Sequence, residues 1–208
     1  MKFSEFVAHM KALKTPVILL HGIRKLPRSQ REILSEVASM MASQLPKATF
    51  RTGNAPGAET AFQEGLAEID PRRLQYLLPY ASYGNRKIPP GAATVCLDEI
   101  PRAVLKNLAA QTLKASPKSK LPLERYLRVR SHNQQTARTV HLLLDTLKVV
   151  GSSPLSLPPA SVGIFCVPED RPLSGRIGHS LRVCLQHSIP VIDQSLWMPW
   201  RKRQPSVL

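Results

Sequence analysis

The apolar positions of this chain fall into short continuous runs separated by longer stretches of helical period. The run "PVILLHGI", residues 16–23, is apolar almost throughout. A run that does not alternate reads as a strand covered on both faces, as in a parallel sheet. In residues 26–45, Ile33, Val37, Met40 and Met41 share one helical face. Ser29, with Glu32 three residues on, has the form of a capping box. "KATFRTG", residues 47–53, predicts a second strand, and "AETAFQEGLAEI" predicts a helix that Asp70-Pro71 ends. "RLQYLLPY", residues 73–80, predicts a third strand.

The order strand, helix, strand, helix, strand implies a parallel sheet wound by right-handed crossovers. Residues 81–130 break that rhythm. "YGNRKIPPGAAT" reads as a loop, residues 98–113 as a helix and "KASPKSKLP" as a basic connection. Residues 137–150 read as a helix, followed by the stiff segment "GSSPLSLPPA". "SVGIFCV", residues 161–167, is the clearest buried strand. A loop, a helix with Leu181, Cys184 and Leu185 on its core face, and a last strand "IPVID" follow. The expected architecture is α/β: a Rossmann-like parallel sheet of about five strands flanked by helices. One domain spans residues 1–208, with a helical basic insertion at 84–130 and a loose basic tail at 195–208.

Composition adjusts this picture. Hydrophobic residues make up 43%, enough for a real core. Aromatics are 5%, so the core rests on aliphatic side chains. No apolar run is long enough to cross a bilayer, and the first residues lack the apolar stretch of a signal peptide, so no membrane partner is expected and a cytoplasmic protein is. Cys96, Cys166 and Cys184 are far apart, which argues against a disulfide framework or a zinc site; Cys166 and Cys184 read as core residues. His9, His132, His141 and His187 show no metal spacing. His21, Asp98, His179 and Ser180 lack the G-x-S-x-G elbow of a hydrolase.

The formal charge of +15 favours polyanionic partners, either nucleic acid or a phosphorylated small molecule. Between residues 100 and 144 the only acid is Glu124, against Arg102, Lys106, Lys114, Lys118, Lys120, Arg125, Arg128, Arg130 and Arg138. Such a span is either a solvated helical face or a surface that meets phosphates. Trp197 and Trp200 either pack the tail onto the body or offer a platform for bases.

In a parallel sheet, ligands bind beyond the carboxyl ends of the strands, where the winding reverses. The loops expected there are "HGIRK", "TGNAPGAE" and "PEDRPLSGRIGHS". The second and third bear glycines and open helices, whose unpaired N–H groups suit phosphate. Neither loop is a Walker A or a G-x-G-x-x-G turn, so on spacing alone both also read as plain connections. His179, at a helix start, could bond phosphate or simply cap.

"RTGNAPGAETAFQEG" resembles the "GGAxGAD" turn of the SLOG superfamily, which includes the DNA-processing protein A group and the LONELY GUY phosphoribohydrolases. "HGIRK", "ARTVHLLLD" and "SGRIGHSLRVCLQHSIPVID" are similar to further segments of that superfamily, in the same order. The resemblance implies a nucleotide-type ligand in a prokaryotic setting related to phage or mobile elements; no cofactor beyond that ligand is assigned, and the cysteine and histidine spacing offers no metal site. The resemblance also implies a possible homo-oligomer. The implied ligand residues are Gly22 and Arg24, then Gly53, Asn54, Ala55, Gly57, Ala58 and Glu59. Arg138 follows on its helix, and Gly175, Arg176, Gly178 and His179 on the last loop.

Where the phosphoribohydrolases carry a glutamate that assists glycosidic cleavage, this chain has Arg182, which favours binding without turnover. Two alternatives stand beside that reading. One is single-stranded DNA or RNA binding through Lys106, Lys114, Lys118, Lys120, Arg125, Arg128 and Arg130. The other is N-glycosidic hydrolysis of a nucleotide with Glu59 as the carboxylate.

Overall fold

A computed structural model describes all residues except 84–87, 131–132, 134–135, 169 and 204–208, with the backbone alone at 202 and 203. His132 lies outside the described residues. The strands are β1 (Val17–Gly22), β2 (Thr49–Thr52), β3 (Leu74–Leu78), β4 (Ala93–Cys96), β5 (Val162–Cys166) and β6 (Val191–Ile192). They form one sheet in the order β4-β3-β2-β1-β5-β6, and every pairing is parallel. The fold is Rossmann-like α/β. The chain builds β1 to β4 in one direction and then returns to the far side of β1 for β5 and β6, so the winding reverses between β1 and β5.

The helices are α1 (Phe3–Lys11), α2 (Arg28–Gln44), α3 (Ala58–Ile69), α4 (Arg102–Ala115), α5 (Lys120–Val129), α6 (Ala137–Val150), α7 (Gly175–Gln186) and α8 (Gln194–Trp197). The period-2 alternation hidden inside the apolar strands divides them between two layers. Ile18, Leu20, Phe50, Tyr76, Leu78, Ile164 and Cys166 face the core that holds α1, α2 and α3. Leu19 and Phe165 face Val149 of α6 and Val183 and Cys184 of α7. A further cluster joins Leu77 to Leu105 and Leu108 of α4, Leu123 and Tyr126 of α5 and Leu143 and Leu147 of α6. His21 follows Leu19 by two residues, so it shares the α6–α7 side.

Several expectations need correction. The region expected to hold only a loop and helices also carries β4, a sixth strand. It is short and lies at the sheet edge with Ala93 and Thr94 exposed, so no apolar run announces it. The connection expected at 114–122 already begins α5 at Lys120, with Pro122 in the first turn, where a missing N–H costs nothing. α2 starts at Arg28 after Pro27, so Ser29 lies inside its first turn and does not cap it. Leu185 is 80% exposed, while Val183 and Cys184 are buried in the core.

The tail is anchored through its first residues. Trp197 is buried and donates Nε1–H to the Phe165 carbonyl at 2.8 Å. Trp200 packs on Phe6 with ring centroids 4.9 Å apart. Both tryptophans therefore pack, and neither is a platform for bases. All three cysteines are free and buried. Among the described residues no helix is long and apolar enough to cross a membrane, and no cluster could hold a metal ion.

Candidate functional site

The loops after β1 and β2 are stacked directly on each other. Gly57 has φ +90, and a Cβ there would lie 2.3 Å from the Ile23 carbonyl oxygen. That same oxygen accepts the Ala58 amide at 2.9 Å. A Cβ on Gly22 would lie 2.7 Å from that of Ala58. These glycines let one loop pass over the other, a close approach of chain to chain.

At the top of α3, Glu59 turns inward and is 1% exposed. Its Oε2 accepts the amides of Gly53 at 3.0 Å and Ala55 at 3.3 Å. Its Oε1 lies 2.7 Å from His21 Nδ1 and 3.6 Å from Lys148 Nζ. An ionised carboxylate only accepts, so Nδ1 of His21 carries the proton in that bond. Gln63, one turn along α3, fixes the loop from the other side by donating Nε2–H to the Gly53 carbonyl at 2.6 Å. The anion in the amide nest after β2 is thus the protein's own side chain.

The network continues across α6 to α7. Lys148 Nζ donates to Asp145 Oδ1 at 3.3 Å. Arg176 grips Asp145 through Nε at 2.8 Å and Nη2 at 2.7 Å. Burial alone would raise both carboxyl groups. For Glu59, Lys148 and His21 more than reverse that, and for Asp145 Arg176 and Lys148 do, so both are held well below the ordinary carboxylate range. Burial likewise works against the Arg176 charge, but Asp145 overcomes it and pushes that guanidinium up. Two carboxylates are therefore held ionised among cations, which disfavours either as a general acid.

Beside this network lies a cleft lined by Asn54, Ala55, Tyr83, His141, Lys148 and Arg176, among others, with a volume of about 10 Å³. That is room for about one water molecule. Tyr83 is one of the residues that line the cleft. The Tyr83 hydroxyl accepts from Arg24 Nη2 at 3.3 Å, its carbonyl accepts from Asn54 Nδ2 at 3.3 Å, and its ring centroid is 5.5 Å from that of His141. Tyr83 comes from the connection between β3 and β4, residues 79–92. Burial first, then Arg176, lowers His141 to about 4, with Lys148 and Arg24 adding to the effect and Asp145 opposing it. Arg138 is exposed one turn earlier on the same face of α6.

The last loop divides. Arg176 belongs to the site, but His179 does not. His179 is buried, with Nδ1 2.8 Å from Ser116 Oγ and Nε2 2.9 Å from Thr146 Oγ1 and 3.1 Å from the Leu142 carbonyl. It ties α4, α6 and α7 together and neither caps its helix nor faces a ligand. Burial lowers it to about 4. A Cβ on Gly178 would lie 1.8 Å from the Leu173 carbonyl oxygen, and the Gly178 amide bonds to the Ser174 carbonyl at 2.9 Å, so this glycine too serves packing. Gly175 has φ +60 and open space around it. Arg182 braces α4 by donating Nε–H to the Ala115 carbonyl at 2.7 Å.

The basic span also divides. Lys106, Lys114, Lys118, Lys120, Arg125 and Arg128 are exposed, with no ion pair among the described residues. Arg130, with φ +51 at the end of α5, instead donates to the Leu97, Asp98 and Ile100 carbonyls. Arg130 is structural. Sequence reasoning missed Asp145, Lys148 and Tyr83 as site residues and took His141 for a scattered histidine. The signal was present in the helix "ARTVHLLLDTLKVV". Arg138, His141, Asp145 and Lys148 recur at spacings of three and four, a polar stripe in an otherwise apolar segment.

Compared with family models, with curated proteins and with solved structures, the chain matches none.

Proposed function

We propose that this protein binds a phosphorylated ligand of nucleotide type at the carboxyl edge of its sheet and does not turn it over. One observation carries the reading. Loops far apart in sequence bring Glu59 and Arg176 to a single cleft with His141 of α6; Arg24 reaches its Tyr83 wall, and Arg138 stands exposed one turn earlier on α6. Side chains, rather than loop amides, then hold the ligand's phosphate, because Glu59 already takes the Gly53 and Ala55 amides. The cleft is too small for a nucleotide while Tyr83 bonds to Arg24 and Asn54. Binding therefore requires Tyr83 to release those two bonds. The engagement of Glu59 and Asp145 supports binding without turnover, as does the resemblance, which places Arg182 where a cleaving enzyme has glutamate.

The test is a thermal-shift series with nucleoside mono-, di- and triphosphates, paired with mass spectrometry of small molecules that copurify. A ligand at about a hundred times its Kd stabilises by about 2.7 kcal/mol. Arg24→Ala and Arg138→Ala should each reduce that shift. Silence from every nucleotide at millimolar concentration, together with an empty copurification spectrum, would remove the proposal.

A second reading rests on the six exposed cations of α4, α5 and the turn between them. They favour nucleic-acid backbone contacts, and their signature is salt dependence. Neutralising several phosphates makes affinity fall by orders of magnitude between low and moderate salt. Oligonucleotide binding that does not respond to salt would dismiss this reading.

A further inference from the structure

His141 is set in the mouth of the cleft in an unusual way. It is half-buried, and among the described residues neither ring nitrogen makes a hydrogen bond; its one specific contact is the Tyr83 ring. Cations from three elements surround it: Arg24 from the loop after β1, Arg176 from α7 and Lys148 from its own helix. Asp145, also on α6, faces it, but Arg176 and Lys148 already take that carboxylate. Glu59 of α3 is likewise saturated by His21 and two amides. The imidazole is thus a neutral polar group in a positive field, with both nitrogens free to meet whatever enters.

We propose that an oxyanion ligand bound beside His141 favours its protonation from solvent, so that binding takes up one proton and the histidine becomes a charged contact. The inference rests on the ligand site proposed above and assigns its selectivity. A dianionic group supplies both the opposite charge that the cations lack and an acceptor for an imidazolium N–H. Neutral or cationic ligands do neither. The site therefore favours dianions, and it binds a dianion whose charge is fixed over this range, such as sulfate, more tightly as pH falls.

The size of the effect follows from linkage. The free group titrates at about 4. If the bound group returns to its ordinary value of about 6.5, affinity at about pH 5.5 exceeds that at about pH 8 by roughly tenfold. Sulfate is the probe of choice, because its own charge does not change over that range.

The experiment is calorimetric titration of the full chain with sulfate at both pH values, in two buffers of different ionisation enthalpy. The expected result is about tenfold tighter binding at the lower pH with uptake of close to one proton, both lost in His141→Asn. Sulfate binding of equal strength at both pH values with no proton uptake overturns this inference and leaves the ligand site standing. A pH dependence that survives in His141→Asn also overturns it. No binding of sulfate or nucleotide at either pH removes both proposals. Should the variant fail to fold, the His141 Cε1–H resonance of the unaltered protein decides. Its midpoint must rise when sulfate is added, and a fixed midpoint refutes the coupling.

Discussion

His21 and Glu59, 38 residues apart, meet in the interior with Nδ1 and Oε1 2.7 Å apart. The bond joins the end of β1 to the start of α3 and stands at the root of a chain of charges that runs through Lys148 and Asp145 to Arg176. Glu59→Gln keeps the shape and removes the charge, leaving Lys148 and His21 without their anion. Breaking a buried pair of this kind costs about 3–5 kcal/mol. Urea unfolding should show the midpoint falling with an unchanged slope. A loss below about 1 kcal/mol would mean that the charges are not coupled.

That coupling can be measured directly. Lys148→Met and Glu59→Gln, alone and together, form a double-mutant cycle. The double variant should be less damaged than the two single losses added together, by about 0.5–3 kcal/mol, because each single change strands the other partner. Strict additivity would show that Lys148 serves Asp145 alone.

Acid should destabilise the fold before the carboxylates titrate. His141 and His179 are lowered to about 4 in the folded chain, against about 6.5 when unfolded. The unfolded state thus binds more protons between those values. Stability is complete above about pH 6.5 and declines as pH falls toward 4, by up to about 1.4 kcal/mol per histidine per pH unit. Glu59 and Asp145 add their loss only below about pH 4. Chemical denaturation across this range should reproduce the two stages, and His179→Asn should flatten the first. An unchanged profile in that variant would contradict the assignment.

Two glycines separate close packing from open geometry. Gly57→Ala meets the Ile23 carbonyl at 2.3 Å in a conformation reserved for glycine, and should lower stability by several kcal/mol or abolish folding. Gly175→Ala meets nothing, and its φ of +60 costs an L-residue only about 1–2 kcal/mol. Equal thermal shifts for the two variants would remove the packing argument.

On the basic face, Arg130→Ala should reduce stability by about 1–3 kcal/mol, since it strips hydrogen bonds from three carbonyls. Lys120→Ala should stay within about 0.5 kcal/mol. If α4 and α5 bind nucleic acid, the lysine change weakens that binding and flattens its salt slope. Equal stabilities for the two variants would deny Arg130 its bracing role.

The sequence made the layers of this fold legible because a parallel sheet buries both faces of its strands, so β1 and β5 stand out as near-continuous apolar runs and β3 as one broken only by Gln75. β4 lacks that mark, since an edge strand needs no apolar exterior. The glycine-bearing turns were legible as special positions, but their purpose was not. Glycine answers a demand for space, and sequence does not tell whether a ligand or a neighbouring loop makes that demand. Glu59 was recognisable as a carboxylate at a helix start. Its role as resident anion depended on Lys148 and His21, which only the tertiary fold brings to it. Arg130 lay in a basic run like its neighbours, and only its left-handed backbone turned it inward.

The pairing of β1 with β5 governs how the molecule can be made. The Val17 amide reaches Ser161, 144 residues away, and the whole right-hand neighbour of β1 is synthesised after most of the chain. A nascent chain that has emerged only as far as β4 carries an open, strongly apolar strand edge with nothing to cover it. Contacts so distant along the chain close slowly and leave such an edge available to other polypeptides. Arg176 arrives later still. The cleft is therefore completed late in biogenesis, and chains cut short before α7 should collect in aggregates or on chaperones.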